Sequence, residues 1–244
     1  MSLTLIPAVA LVVVMLLPNN KEPQKEYSKT AISTQKTKKT TVKKPYSRLN
    51  SVQKNVKDPN AEFATIYKYI QSRYKAIKKE DAKQISSYLV EYGEKHDIDP
   101  KFAAAVIARE SSFNKKAVSK TGAKGLGQIK EFNYKSLEIN DPFNIKDNVK
   151  GTTKYLKEML SNWEKKNKVK KDGKEKNISQ DDKVKLALAS YYKGFTAVKR
   201  EGGKLDKKTN GYVKDILKYY DELVTLREDQ KSSPRNHQKN KTLD

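Results

Sequence analysis

Apolar side chains recur at every third or fourth position from residue 61 onward, and this spacing restricts the chain to a mainly helical fold. The clearest example is the first such segment, in which one helical face carries Phe63, Ile66, Tyr67, Ile70, Tyr74 and Ile77. The same period continues in later segments as far as Leu223. No run of alternating apolar residues is long enough to predict a sheet. We therefore expect one α-helical domain over residues 61–228.

The N-terminal end of the chain has a different composition. Residues 3–17 contain no charged side chain. As a helix they would rise only about 22 Å, which is short of a bilayer core of about 30 Å. No Lys or Arg precedes them, whereas Lys21 and Lys25 follow them. We interpret residues 1–18 as an export signal or an uncleaved membrane anchor, with a buried helix of the domain as the alternative.

Three further segments are polar and rich in charge. Residues 19–60 carry a local net charge of +9 between Lys21 and Lys57. Such a segment cannot bury enough apolar surface to offset the entropy lost on folding, so we predict a disordered basic linker. It is either a spacer or an electrostatic contact for an anionic wall polymer or acidic lipid. We also predict an exposed Lys-rich insertion or hairpin at 164–183 and a disordered polar tail at 229–244.

The formal net charge of +23 implies an anionic partner. Nucleic acid is one candidate, but the positive charge lies largely in segments predicted to be disordered. The sequence also lacks a recognisable recognition helix and a phosphate-binding loop that ends in Gly-Lys-Ser/Thr. A nucleic-acid-binding protein is therefore only an alternative. Because the chain has no Cys and its two histidines, His96 and His237, are far apart, we expect no disulfide, no metal site and no cofactor.

Glu110 occupies an unusual position for a carboxylate. It follows Ile107 by three residues and Val106 by four, so it shares the apolar face of a helix that Asp99 and Pro100 begin. Apolar surroundings raise the pKa of a carboxyl group, and a partly protonated Glu can act as a general acid and then as a general base. From spacing alone, a surface Glu at the end of a helix is the simpler interpretation.

The residues that follow Glu110 make the functional interpretation stronger. The first block is Glu110-Ser111, Ala117-x-Ser119 and Gly122-Ala123-Lys124-Gly125-Leu126-Gly127-Gln128. Three later blocks follow along the chain: Asp141-Pro142 with Asn148, Gly151, Tyr155 and Leu156; then Ala189, Tyr191 and Gly194; then Tyr212-Val213. In content and order, these four blocks resemble the catalytic domain of soluble lytic transglycosylases and goose-type lysozyme. The resemblance covers about residues 81–221.

This resemblance implies a lysozyme-like helical domain with a cleft for the glycan of peptidoglycan. Glu110 would protonate the glycosidic oxygen between N-acetylmuramic acid and N-acetylglucosamine. It would then take a proton from the C6 hydroxyl, which closes a 1,6-anhydro ring without water. One acid suffices for this reaction, whereas a hydrolysing lysozyme, the alternative enzyme, normally uses two carboxylates. Candidates for a second carboxylate are Glu131, Glu138, Asp141 and Asp147.

The resemblance also implies a set of substrate-binding residues: Ser111, Ser119, Gly122, Gly125, Leu126, Gln128, Tyr191 and Tyr192. The two Ser hydroxyls would form hydrogen bonds around Glu110 and the sugar, and the two Gly would let the backbone turn close to the glycan. Gln128 would present both ends of its amide to an acetamido group. Tyr191 would orient Glu110 or stack on a sugar.

Two departures from the family pattern concern substrate contacts. Gly127 replaces the usual Met, which should remove an apolar wall and loosen the loop. Tyr192 and Lys193 replace the usual Asn and a small residue. These changes motivate a second alternative, a non-catalytic peptidoglycan-binding module, although the intact Glu110-Ser111 pair argues against it. We predict an exported or membrane-tethered lytic transglycosylase of the cell envelope, outside the cytoplasm, with no specific nucleic-acid partner.

Overall fold

The computed structural model describes residues 58–232 except for 167, 172 and 173, and this part of the chain is mainly helical, as predicted. Its α-helices are α1 (Pro59–Arg73), α2 (Lys79–Lys95), α3 (Pro100–Ser111), α4 (Tyr134–Leu137), α5 (Ile145–Glu164), α6 (Gln180–Lys193), α7 (Phe195–Arg200) and α8 (Lys207–Ser232). Within the described ranges, no helix is both long and apolar enough to cross a membrane.

The Lys-rich stretch between α5 and α6 contains two short strands, β1 (Lys168–Lys171) and β2 (Lys174–Asn177). They pair in antiparallel register, with Lys168 opposite Asn177. The hairpin foreseen in this insertion is therefore present. A 3-10 helix, Glu131–Asn133, precedes α4.

Helix α3 lies at the centre of the domain. It is buried from Pro100 to Ala108 and contacts α1, α2, α5 and α8. The predicted start is confirmed: the Asp99 side chain accepts a hydrogen bond from the Lys101 N–H at 2.9 Å, and Pro100 is the first helical residue. A helix that is apolar on all sides needs neighbours on all sides, and the surrounding helices provide them. The one end of α3 that leaves the core carries Glu110.

Helices α1 and α8 pack side by side near the N-terminal end of α3. The Thr65 hydroxyl donates to the Gln230 side-chain oxygen at 2.8 Å, and Arg227 lies 3.8 Å from the Asp58 carboxylate. Both helices extend past the predicted domain limits, since α1 begins at Pro59 and α8 continues to Ser232. Residues 59–60 are thus helical rather than linker, and residues 229–232 are helical rather than tail.

A buried ion cluster ties these three helices together. Lys101 is only 6% exposed, and its ammonium lies 2.6 Å from Glu62 and 3.0 Å from Asp99. The Tyr220 hydroxyl donates to the second oxygen of Asp99 at 2.6 Å.

The predictions for residues 1–18, and for the linker as far as residue 57, lie outside the described residues.

Candidate active site

Glu110 is the penultimate residue of α3, where the helix passes from the core to the surface. Its Oε1 atom accepts a hydrogen bond from the Tyr212 hydroxyl at 2.5 Å. Tyr212 is buried and belongs to the first turns of α8. The carboxyl group predicted from helical spacing is therefore held by a residue on another helix.

The pKa of Glu110 is raised to about 7. Burial is the main cause, because protein atoms around the carboxyl group disfavour its charged form. The Tyr212 hydroxyl and the positive charge of Arg109 act in the opposite direction and lower the pKa. The residue as a whole stays partly exposed, so we attribute the raised pKa to local crowding of the carboxyl group. Both protonation states are populated near neutral pH.

Replacement of Tyr212 by Phe tests this balance. A hydrogen bond to a carboxylate stabilises its charged form, so its loss should raise the pKa of Glu110 by about one unit. Carbon-13 NMR titration of Glu side chains in the full chain would measure the shift. The control is Tyr220→Phe, which removes a hydroxyl group from the same helix. That hydroxyl donates to Asp99 and not to Glu110. An unchanged or lower pKa in Tyr212→Phe would contradict the assignment.

Tyr212 is itself packed between other side chains. Its ring stacks on that of Tyr192, with centroids 4.7 Å apart and planes at 23°. The Arg109 guanidinium carbon lies 5.4 Å from the centre of the Tyr212 ring, and Arg109 Nε donates to Asp215 at 3.0 Å. These contacts fix the ring that holds Glu110.

The glycine-rich loop that follows α3 is anchored to α5 by Asn148, a buried residue. The Asn148 side-chain nitrogen donates to the carbonyls of Lys124 at 3.2 Å and Pro142 at 2.8 Å, and its oxygen accepts the Gly127 N–H at 2.7 Å. Gly125 has φ +76°, and a Cβ there would lie 2.1 Å from the Pro142 carbonyl oxygen. Only glycine fits this position, and the close approach is to the protein itself.

Gly127 is fixed in place, so the expected loosening of the loop is wrong. Its carbonyl accepts a hydrogen bond from the Tyr191 hydroxyl at 2.8 Å, and its N–H is held by Asn148. A Cβ at this position would lie 1.9 Å from Thr152 Oγ1 and 2.9 Å from the Tyr191 hydroxyl oxygen. The absence of a Met side chain is thus matched by Thr152 and Tyr191, which fill the space next to the glycine.

The two predicted Ser residues both form hydrogen bonds within the protein. Ser111 Oγ donates to the Ile107 carbonyl, one turn back along α3, at 3.3 Å. Ser119 Oγ accepts the Ala123 N–H at 3.0 Å and lies 3.2 Å from the Thr121 hydroxyl. Ser111 follows Glu110 directly, whereas Ser119 stabilises the turn of the loop.

Two other predicted contacts, those of Gln128 and Leu126, differ from expectation. Gln128 donates from its side-chain nitrogen to the carbonyls of Ala117 at 3.1 Å and Gly125 at 3.0 Å. Both amide protons are therefore used, and only the oxygen is left for an acetamido group. Leu126 is 0% exposed, so the core takes the side chain that was expected in the cleft. Gly122 lies in an exposed turn with φ +80°.

The two adjacent tyrosines of α6 have opposite environments. Tyr191 is 8% exposed, and its ring packs on Tyr155 with centroids 4.9 Å apart, so this ring cannot stack on a sugar. Burial and the negative charge of Glu110 raise the pKa of Tyr191 well above its usual value. Tyr192 is 39% exposed.

The acidic residues considered as a second carboxylate are Glu131, Glu138, Asp141 and Asp147. Asp147 accepts backbone N–H groups from Asn140 and Asp141, and Asp141 accepts the N–H of Phe143. Hydrogen bonds and ion pairs with Lys154 and Lys150 hold the pKa of Glu138 below its usual range. Glu131 is exposed and lies 3.8 Å from Lys124. Each of the four therefore has a structural partner.

Sequence reasoning assigned no site role to Tyr212, Asn148, Thr152 or Arg109. Tyr212 and Asn148 both lie in segments that resemble the family, and that resemblance was the available signal. No sequence signal linked Thr152 to Gly127, because their contact arises from the packing of α5 on the loop. Among the described residues, no group of His, Cys, Asp and Glu is arranged to hold a metal ion.

Comparison with known proteins places these features in a family context. A family described as Transglycosylase SLT domain matches residues 87–213. Membrane-bound lytic murein transglycosylase F of Pectobacterium atrosepticum is 30% identical over 115 residues, which cover 47% of this chain and 21% of that protein. The protein of the same name from Sodalis glossinidius is 33% identical over 100 residues, which cover 41% and 19%. The match therefore spans about a fifth of the length of these relatives.

Among solved structures, an inactive mutant of lytic transglycosylase Slt from Pseudomonas aeruginosa aligns with 76% of this chain and 31% of its own chain. The TM-score is 0.45 and the sequence identity is 18%.

Proposed function

Because this chain belongs to the Transglycosylase SLT domain family, we propose that it cleaves the glycan strands of peptidoglycan as a lytic transglycosylase. The observation that carries the proposal is Glu110, which has a pKa of about 7 and is held by Tyr212 where α3 leaves the core. A general acid works best with a pKa near the working pH.

In the proposed mechanism Glu110 acts twice. The protonated carboxyl group gives its proton to the glycosidic oxygen, and the bond between that oxygen and C1 of N-acetylmuramic acid breaks. The acetamido oxygen of the same sugar stabilises the positive charge at C1. The Glu110 carboxylate then takes the C6 hydroxyl proton as O6 bonds to C1, so the ring closes and the acid is regenerated. No water is consumed.

The environment of Glu110 suits both steps. Burial favours the neutral acid that begins the reaction, and the Tyr212 hydroxyl stabilises the carboxylate that forms midway. The structural partners of Glu131, Glu138, Asp141 and Asp147 support a single-acid mechanism over hydrolysis by two carboxylates.

We also propose which groups meet the sugar. Ser111 and the side-chain oxygen of Gln128 are the predicted contacts that keep a hydrogen-bonding atom available beside the anchored loop. Asn148 and Gly125 position that loop without touching the sugar. Ser119 and Gly122 shape the exposed turn. Leu126 supports the loop from the core.

The setting proposed for this activity is the cell envelope, outside the cytoplasm. Two relatives are named membrane-bound lytic murein transglycosylases, which supports this location. The basic segment 19–57 would add an electrostatic contact with an anionic wall polymer or acidic lipid.

Digestion of purified peptidoglycan by the full chain, followed by mass spectrometry of the released muropeptides, tests the reaction. We expect products lighter than hydrolysed muropeptides by the mass of one water, since the anhydro ring forms without it. Hydrated products would show a lysozyme instead. Folded protein that binds the wall and releases nothing would show a binding module.

A further inference from the structure

Tyr192 is the exposed member of the aromatic pair beside Glu110. Its ring lies against the ring of Tyr212 at 4.7 Å and 23°, and Tyr212 holds Glu110 through its hydroxyl. Tyr191 and Tyr212 are buried, whereas 39% of Tyr192 is open to solvent. One part of this side chain therefore supports the residue that holds the acid. The Lys208 ammonium lies 5.8 Å from the centre of the Tyr192 ring, and the part of the side chain that stays open to solvent is available to a ligand.

The two rings come from different helices that are tied together nearby. Tyr192 and Lys193 lie at the end of α6, and the Lys193 ammonium contacts Glu201 at 2.7 Å and Asp206 at 3.0 Å. Asp206 in turn accepts the Thr209 N–H at 2.8 Å in the first turn of α8. The Thr209 hydrogen bond and Lys193 keep the pKa of Asp206 well below its usual range, so this carboxylate stays charged.

Lys193 therefore has a structural role, which is to hold Glu201 and Asp206. A small residue there, as the family pattern has, could not reach Glu201 and Asp206. The ion cluster fixes the end of α6 against the start of α8, which are the places where Tyr192 and Tyr212 lie. The two departures from the family pattern at Tyr192 and Lys193 act together.

We propose that Tyr192 is a sugar-stacking and positioning residue, which receives a pyranose ring on its exposed surface and braces Tyr212 with its inner face. This inference rests on the proposed function. Aromatic side chains offer rigid apolar surface with defined contact geometry, and binding sites are commonly lined by them. Glycan binding and the placement of Glu110 are then coupled through one pair of rings.

A tyrosine at position 192 changes how a sugar is recognised there. The family's Asn would select a sugar through hydrogen bonds, whereas Tyr192 presents a partly exposed aromatic ring. We therefore expect the position to recognise the ring face of N-acetylhexosamine units rather than a particular polar substituent. The N-acetylglucosamine hexamer, which has no lactyl group or peptide, is then a suitable probe.

Binding is measured by calorimetry in the inactive Glu110→Gln background of the full chain. Relative to that parent, Tyr192→Phe should bind the hexamer within about twofold, while Tyr192→Leu should bind about five- to tenfold more weakly. Tyr67→Leu is the control, because Tyr67 also stacks on a neighbour, Phe63, with centroids 6.0 Å apart. Equal affinity in all four proteins would overturn the stacking role.

Kinetics on peptidoglycan test the positioning role. Tyr192→Leu should raise KM through lost stacking and should also move the alkaline limb of the pH profile upward, in the direction expected for Tyr212→Phe. Tyr192→Phe keeps the aromatic ring, so its KM and its pH profile should match those of the wild type. A changed KM with an unchanged pH profile would overturn the positioning role. If the wild-type chain forms no anhydro products, the proposed function fails; if it forms them and Tyr192→Leu matches it, only this inference fails.

Discussion

Replacing Glu110 by Gln should abolish the release of anhydro muropeptides and leave the protein folded. Gln has nearly the same shape but cannot give or take the proton, and loss of general acid–base catalysis costs about 10²- to 10⁴-fold in rate. The measurement is the rate of product release from purified peptidoglycan by the full chain. The control is Glu138→Gln, which changes an exposed carboxylate in an ion pair with Lys150.

The same pair of proteins should differ in stability as the pH changes. The pKa of Glu110 rises from 4.5 to about 7 on folding, so between these values the folded state binds more protons than the unfolded chain. The stability of the wild type from this group is therefore present below pH 4.5 and declines as the pH rises towards 7. Gln does not titrate, so the Tm of the wild type should fall relative to Glu110→Gln between pH 5 and pH 8.

These two measurements separate mechanism from folding. If Glu110→Gln keeps wild-type activity, Glu110 is not the acid. If its Tm difference from the wild type is independent of pH, the raised pKa is wrong although the role in catalysis could stand. Glu138→Gln should retain activity in either case.

Among the substitutions proposed, Lys101→Met should cause the largest loss in the free energy of unfolding. Burial lowers the pKa of Lys101, but the charges of Asp99 and Glu62 outweigh it and raise the pKa, so the ammonium stays charged. Without this ammonium, two carboxylates are left buried in the same place. Breaking a buried ion pair on one side costs about 3–5 kcal/mol. Unfolding in urea, followed by circular dichroism, gives the free energy directly.

The control for Lys101→Met is Lys115→Met. Lys115 also forms a close ion pair, with Asp81 at 2.8 Å, but both side chains are partly exposed. Surface pairs contribute less than about 1 kcal/mol, so this variant should be nearly as stable as the wild type. Equal losses in the two variants would show that burial does not determine the strength of the Lys101 cluster.

The helices could be predicted because their apolar period is local information. The position of Glu110 on the face of α3 follows from its distance to Ile107 and Val106, and Asp99 and Pro100 set the start of the helix. The proposed role of the site came from short motifs in order along the chain. Neither kind of information depends on how the helices pack.

What could not be predicted depends on that packing. Tyr212 lies 102 residues from Glu110 in sequence, so only the folded chain brings them together. Gly127 was expected to remove an apolar wall, because the sequence does not show that Thr152 and Tyr191 fill the space beside it. Gln128, whose backbone has φ +51°, donates its amide to two loop carbonyls, and these partners are set by the folded loop.

The pairing of α1 with α8 also makes this domain suitable for insertion into another protein. Asp58 and Arg227 are near neighbours, so the two ends of the described part of the chain lie close together. That point adjoins the start of α3, about 15 Å along the helix from Glu110. Domains whose ends meet in this way tolerate circular permutation and insertion into a host loop. The domain could be inserted into another protein through a single connection, with Glu110 at the opposite end of α3 from the junction.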